Sequence, residues 1–179
     1  MSHPAATTAT PTPATTPAIP EGFKPRNFGG GFIGNVGPLY SRRIEGGVQL
    51  GFRVEERHCN PMGILHGGMM ATFCDMLLPI SAHYLSPDIG QRFLPTINLQ
   101  IDYLAGSPLG AWVQGEAQLL RATRSLVFMQ GLVRADDADE AATEVAGFEA
   151  FWNGGRGRWG RHCGGWAHGS GGMGGVAVP

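Results

Sequence analysis

The chain has 179 residues, of which 42% are hydrophobic and 15% are charged, and this suits one folded domain with a sizeable core. The formal net charge of -1 gives no reason to expect nucleic acid or an anionic membrane surface as a partner. The three cysteines, Cys59, Cys74 and Cys163, form neither a disulfide framework nor a zinc-ligand pattern. They indicate a reducing, cytoplasmic setting.

The two ends of the chain differ in composition from its middle. Residues 1–25 are mostly Ala, Thr and Pro, so we predict a disordered tail that lacks the basic start and apolar centre of a secretory signal. Residues 153–179 are rich in Gly with isolated Trp, His and Arg, which indicates a second disordered tail, although RNA-binding segments also interleave Arg with aromatics. No apolar run approaches the roughly 18–20 residues that cross a bilayer.

The middle of the chain, residues 30–152, is predicted to be the folded domain. Residues 46–56 and 95–104 alternate apolar with polar side chains, as strands with one buried face do. In the second of these, Ile97 falls on the apolar face and Thr96 on the polar face. Three more strands are predicted at 110–121, 124–135 and 143–152. Because no helix separates the later strands, we expect an antiparallel sheet.

Residues 66–85 interrupt the strand pattern. This segment is rich in Met, Leu and Ala and is apolar on most sides, which predicts a buried helix. A long buried helix with an antiparallel sheet around it is an α+β fold.

The predicted helix begins with two glycines and contains one acid. Gly67 and Gly68 either make a tight turn or let a substrate approach the unpaired N–H groups at the helix start, where a developing oxyanion could bind. Asp75 is costly in an apolar helix unless it is hydrogen-bonded or partly wet. It is either a structural acid or a general base or nucleophile.

The spacing of Gly67 and Asp75 restricts how the two residues could act together. Gly67 and Asp75 lie about 12 Å apart along one helix, at ~1.5 Å per residue. Two groups that act on one carbonyl must both lie within about 3 Å of it. If the chemistry is acyl transfer, we therefore predict a symmetric dimer with two sites at its interface.

Three stretches together resemble a known family. They are "NPMGILHGGMMATFCD" (60–75), "TINLQIDYLAG" (96–106) and "GEAQLLRATRSLVFMQGLV" (115–133). They are similar to the hotdog-fold acyl-CoA thioesterases of the PaaI/THEM2-like family, over about residues 30–152. The resemblance implies a long helix wrapped by an antiparallel sheet, a homodimer that commonly pairs into a tetramer, and an acyl-CoA substrate without a cofactor.

The resemblance also implies roles for individual residues. Asp75 would be the catalytic general base or nucleophile, and the Gly67 N–H would polarise the thioester carbonyl. Asn60 would help to orient the water or the carboxylate. His66 would support the loop or contact the thioester, and Thr96 would place a hydroxyl near the water.

Substrate binding is implied at Gly68, Arg121 and Arg124. Related sequences often carry a glycine between two basic residues where this chain has Ala122 and Thr123. The two arginines therefore either meet CoA phosphates, whose geometry suits Arg, or are solvated charges at a strand end.

Three other functions are compatible with parts of the pattern. A non-catalytic acyl-CoA-binding or regulatory module would not need Asp75. A hydratase would use an Asp/His pair, which the spacing of Asp75 and His83 fits poorly. A metal site built from His58, His66 and Asp75 is the weakest of the three, and we expect no metal.

Overall fold

The computed structural model describes residues 18–86, 89, 94–136 and 143–153. Two α-helices, a 3₁₀ turn at Glu56–His58 and one sheet make up this part of the chain. The helices are α1 (Gly31–Val36) and α2 (Gly67–Leu85). The strands are β1 (Lys24–Arg26), β2 (Leu39–Ile44), β3 (Gly47–Arg53), β4 (Thr96–Tyr103), β5 (Trp112–Ala122), β6 (Leu126–Asp136) and β7 (Thr143–Asn153).

The strands form one seven-stranded sheet in the order β1-β2-β3-β5-β6-β7-β4. Every neighbouring pair is antiparallel. Strand β4 follows α2 in the chain but lies at the end of the sheet beside β7. The predicted α+β architecture, a long helix against an antiparallel sheet, is confirmed.

Helix α2 is buried, as its composition predicts. Its fully buried side chains pack on the sheet and include Phe73, Cys74, Leu77 and Leu78. Gly115 of β5 allows this close approach, because a Cβ there would lie 2.6 Å from Leu77 Cδ2. Within the described ranges, no helix is both long and apolar enough to cross a membrane.

The predicted strand at 46–56 has the expected buried face. Val48, Leu50 and Phe52 of β3 are buried, as is Val54, which follows the strand. The other predicted strands correspond to β4–β7, with ends that differ by up to two residues.

The amino-terminal boundary of the folded part differs from the prediction. Phe23 is buried and meets Trp112 edge-on, with ring centroids 5.0 Å apart. The Arg53 guanidinium donates to the carbonyl oxygen of Ala18 at 2.7 Å. Residues 18–25 therefore belong to the fold, because they cover a large aromatic side chain of β5. Residues 1–17 and 154–179, which hold the rest of the two predicted tails, lie outside the described ranges.

Replacing Gly115 with Ala tests the contact between α2 and the sheet. The new methyl group would also lie 3.2 Å from the Leu132 carbonyl oxygen, so it cannot enter without moving backbone or core side chains. We expect the free energy of unfolding in urea to fall by about 1–3 kcal/mol. Gly147→Ala is the matched control, because its nearest atom would be Leu132 Cδ2 at 3.8 Å. Equal effects of the two variants would contradict the proposed tight contact.

Candidate active site

Asp75 and Thr96 meet between α2 and the edge strand β4. The Thr96 hydroxyl donates to Asp75 Oδ1 at 2.6 Å, a short distance typical of a hydroxyl bound to a carboxylate. Asp75 is half-buried. Thr96 thus fixes one carboxylate oxygen, and the second oxygen of the same group can accept a proton.

A register shift in β4 turns Thr96 toward the helix. Thr96 pairs with Trp152 and Asn98 pairs with Phe151, so Ile97 is an extra residue of the kind found in a β-bulge. The simple alternation placed Thr96 on the polar outer face and Ile97 on the apolar face, and both assignments are wrong. Ile97 is 51% exposed, while Thr96 reaches Asp75.

His66 caps the start of α2. Its Nδ1 accepts a hydrogen bond from the Gly68 N–H at 2.8 Å, so the neutral ring carries its proton on Nε2. A Cβ at residue 68 would lie 2.9 Å from this Nδ1, which explains a glycine there. His66 is thus a cap of α2, and its Nε2–H is left as a donor.

Gly67 is the first residue of α2 and is half-buried. Its N–H has no acceptor among the residues that the structure describes. Its carbonyl oxygen accepts a hydrogen bond from the Tyr103 hydroxyl at 3.1 Å. Sequence reasoning did not single out Tyr103, because its place in the alternating pattern of β4 gave it a core role.

Asn60 shapes the loop that leads into α2. Its Oδ1 accepts hydrogen bonds from the backbone N–H groups of Met62 and Ile64, at 2.9 and 3.4 Å. The N–H of Leu65 donates to the Ser107 carbonyl oxygen at 2.8 Å and ties this loop to the one after β4. The oxygen of Asn60 therefore holds the loop, and contact between Asn60 and a catalytic water stays a prediction.

Arg121 lies near the end of β5, and Arg124 lies in the turn between β5 and β6. Both side chains are exposed. The sheet register runs from Thr96 through Trp152 and Val127 to Ala122, so this turn is at the same end of the sheet as Asp75. Three strand spacings separate it from Thr96, about 14 Å.

The metal site suggested by His58, His66 and Asp75 is not present. No group of three potential metal ligands occurs in the described part of the chain. His58 is buried, with Nδ1 accepting the Glu55 N–H at 3.0 Å and Nε2 at 2.9 Å from the Val36 carbonyl oxygen. Both ring nitrogens are thus engaged, and His58 instead attaches the end of α1 to the 3₁₀ turn.

Comparisons with known proteins agree with this architecture. A sequence model of the thioesterase superfamily matches residues 62–142. A candidate esterase from Pseudomonas aeruginosa is 25% identical over 111 residues, which cover 62% of this chain and 81% of the relative. The crystal structure of zebrafish thioesterase superfamily member 2 is 25% identical, with a TM-score of 0.55 over 65% of this chain and 81% of that one.

A third similarity comes from Streptococcus pneumoniae TIGR4. The structure is described as a hypothetical thioesterase with coenzyme A and is 17% identical. Its TM-score is 0.55, and the match covers 64% of this chain and 84% of the other. At this identity the likeness shows a shared fold.

The burial of His58 predicts how stability depends on pH. Burial lowers the pKa of His58 below its ordinary value of 6.5, against a smaller opposing effect of the bond to Val36. Below that ordinary value the unfolded chain takes up a proton that the folded chain resists. The free energy of unfolding should therefore decrease as the pH falls from about 6.5 towards 5.

His58→Gln should make the free energy of unfolding depend less on pH over this range, whatever the variant does to stability at pH 8. Urea unfolding curves across the pH range measure both quantities. An unchanged slope in the variant would contradict the assignment.

Proposed function

We propose that this chain is a thioester hydrolase of the hotdog-fold thioesterase superfamily, and that it hydrolyses acyl-CoA thioesters to free CoA and a carboxylic acid. The coenzyme A in the pneumococcal thioesterase supports this substrate class. The likeness to zebrafish thioesterase superfamily member 2 supports the finer assignment to the PaaI/THEM2-like group. The resemblance of residues 60–75 to that group makes aryl or medium-chain acyl groups the first candidates.

The observation that carries the mechanism is the hydrogen bond between Thr96 and Asp75. In the proposed reaction the free oxygen of Asp75 takes a proton from water as the water oxygen bonds to the thioester carbon. The carbon–sulfur bond then breaks, and the proton that Asp75 took from water passes to the CoA sulfur as it leaves, which restores the carboxylate. Thr96 aligns the carboxylate for this step.

The oxyanion that forms on the carbonyl needs a donor close by. The Gly67 N–H is directed outward at a helix start, where the helix dipole adds positive potential. Because Gly67 and Asp75 lie on the same helix, about 12 Å apart along its axis, one chain cannot present both to one carbonyl. We therefore place the Gly67 of one protomer opposite the Asp75 of its partner.

The edge of the sheet supports such a dimer. Strand β4 is the last strand of the sheet, and an open edge favours pairing with another chain. Ile97 and Tyr103 of this strand are 51% and 55% exposed, and Leu104 beyond it is exposed as well. A second copy would cover these apolar side chains. Pairing of two dimers stays a prediction.

The proposed CoA contacts are Gly68, Arg121 and Arg124. Gly68 is exposed at the helix start beside the proposed oxyanion site. The two arginines lie at the same end of the sheet as Asp75, and guanidinium groups suit phosphates. A cytoplasmic location is proposed from the thiols, since Cys59 and Cys74 are free in the described residues.

Replacing Asp75 tests the chemistry. Asp75→Asn should lower kcat for acyl-CoA hydrolysis at least about a hundredfold, because the amide cannot accept the proton. Thr96→Val should lower it roughly tenfold through loss of a hydrogen bond to a charged group. Thiol release across short, medium, long and aromatic acyl-CoAs measures both effects and identifies the preferred acyl group.

Asp102→Asn is the matched control for the loss of one carboxylate. Asp102 is exposed on β4, on the outer face of the sheet, and should be dispensable. Full activity of Asp75→Asn, or equal losses in the two variants, would exclude the proposed mechanism.

Mixing two strongly impaired variants tests the shared site. Gly67→Pro removes the donor N–H at the first helical position, where proline is well tolerated. The preceding His66 already has the extended conformation that proline requires, with φ -67 and ψ 133. Coexpression of Gly67→Pro and Asp75→Asn chains should restore about a quarter of wild-type activity, since half the dimers are mixed and each keeps one intact site.

Two parallel coexpressions serve as controls. Pairing either variant chain with itself should restore no activity. If the Gly67→Pro and Asp75→Asn pair also restores none while its dimers form, the two residues do not act across an interface.

A further inference from the structure

Tyr103 contacts the start of α2 from the neighbouring edge strand. Its hydroxyl donates to the Gly67 carbonyl oxygen at 3.1 Å. Its ring lies against the same residue, since a Cβ at Gly67 would be 3.4 Å from Tyr103 Cε1. The proposed hydrolysis assigns no role to this side chain.

The bond from Tyr103 completes a two-sided hold on one peptide group. The carbonyl of Gly67 and the N–H of Gly68 belong to the same planar peptide unit. The carbonyl accepts from Tyr103, and the N–H donates to His66 Nδ1 at 2.8 Å. This peptide is therefore held at both ends by side chains from α2's cap and from β4.

Such a hold matters because both residues are glycines. Without Cβ atoms, Gly67 and Gly68 have more backbone freedom than other residues. An oxyanion donor is effective when its direction is fixed before the reaction. The Gly67 N–H lies in the preceding peptide unit, which joins the held unit at the Cα of Gly67. A displacement of this Cα would therefore move the donor.

We propose that Tyr103 is a positioning residue that holds Gly67, and with it the Gly67 N–H, in place for oxyanion binding. The proposal rests on the acyl-CoA hydrolysis proposed above. Tyr103 acts through the backbone of Gly67 and does not itself touch the thioester. Its effect belongs to the transition state, so it concerns kcat rather than substrate binding.

Tyr103→Phe tests the hydroxyl while keeping the ring. We expect kcat to fall roughly three- to tenfold with an unchanged KM, the size of effect of one lost hydrogen bond. Thermal unfolding and the oligomeric state on gel filtration should match those of the wild type. Tyr40→Phe is the matched control, because Tyr40 packs on Trp112, with ring centroids 5.6 Å apart, away from the helix start.

Two further measurements separate positioning from a structural role. In the Gly67→Pro background, which lacks the donor N–H, Tyr103→Phe should cause no additional loss of kcat. Amide hydrogen exchange followed by NMR should be faster at Gly68 in Tyr103→Phe than in the wild type, with the rest of α2 unchanged. The exchange measurement does not depend on any substrate.

The outcomes distinguish this proposal from the function on which it rests. Wild-type kcat and unchanged Gly68 exchange in Tyr103→Phe would overturn the positioning role, even if Asp75→Asn is inactive. A rise in KM or a loss of dimer that accounts for the lower activity would overturn it too. If the wild type hydrolyses no acyl-CoA, the proposed function fails, and the positioning role, which rests on it, fails as well.

Discussion

The contact on which the site depends is the hydrogen bond between Thr96 and Asp75. A carboxylate on a buried helix needs a partner. Helix α2 offers no basic residue at helical spacing, and the hydroxyl of Thr72, three residues before Asp75, donates instead to the Gly68 carbonyl oxygen. The partner comes from β4, which lies at the edge of the sheet and so leaves the carboxylate within reach of solvent. One interaction thus makes the acid tolerable in the fold and keeps it available for chemistry.

The backbone at the start of α2 is likewise open to a substrate and held in place by neighbouring side chains. The glycines open the backbone of α2 to a substrate, and their lack of side chains also removes what would normally fix that backbone. His66 and Tyr103 supply the missing restraint from outside the two residues. The loop before the helix is held in turn by Asn60.

Much of the fold could be predicted from local pattern. The apolar segment at 66–85 and the alternating strands appear where they were expected, because burial sets these periods directly. The segment from residue 18 to Arg26 could not be predicted this way. It continues the Ala-, Thr- and Pro-rich stretch that begins the chain, which resembles a tail. The Trp112 side chain that Phe23 packs against lies far away in sequence.

The sequence by itself determined the class of fold, the position of the acid in the buried helix and the glycine pair ahead of it, because each can be recognised from residue spacing within a short segment. Only the tertiary structure decided which way Thr96 faces, since a one-residue bulge reverses the alternation that sequence reasoning relies on. It also decided that Tyr103 meets Gly67 and that His58 is a structural residue. Those contacts join residues distant along the chain, and their geometry exists only after the helix has packed on the sheet.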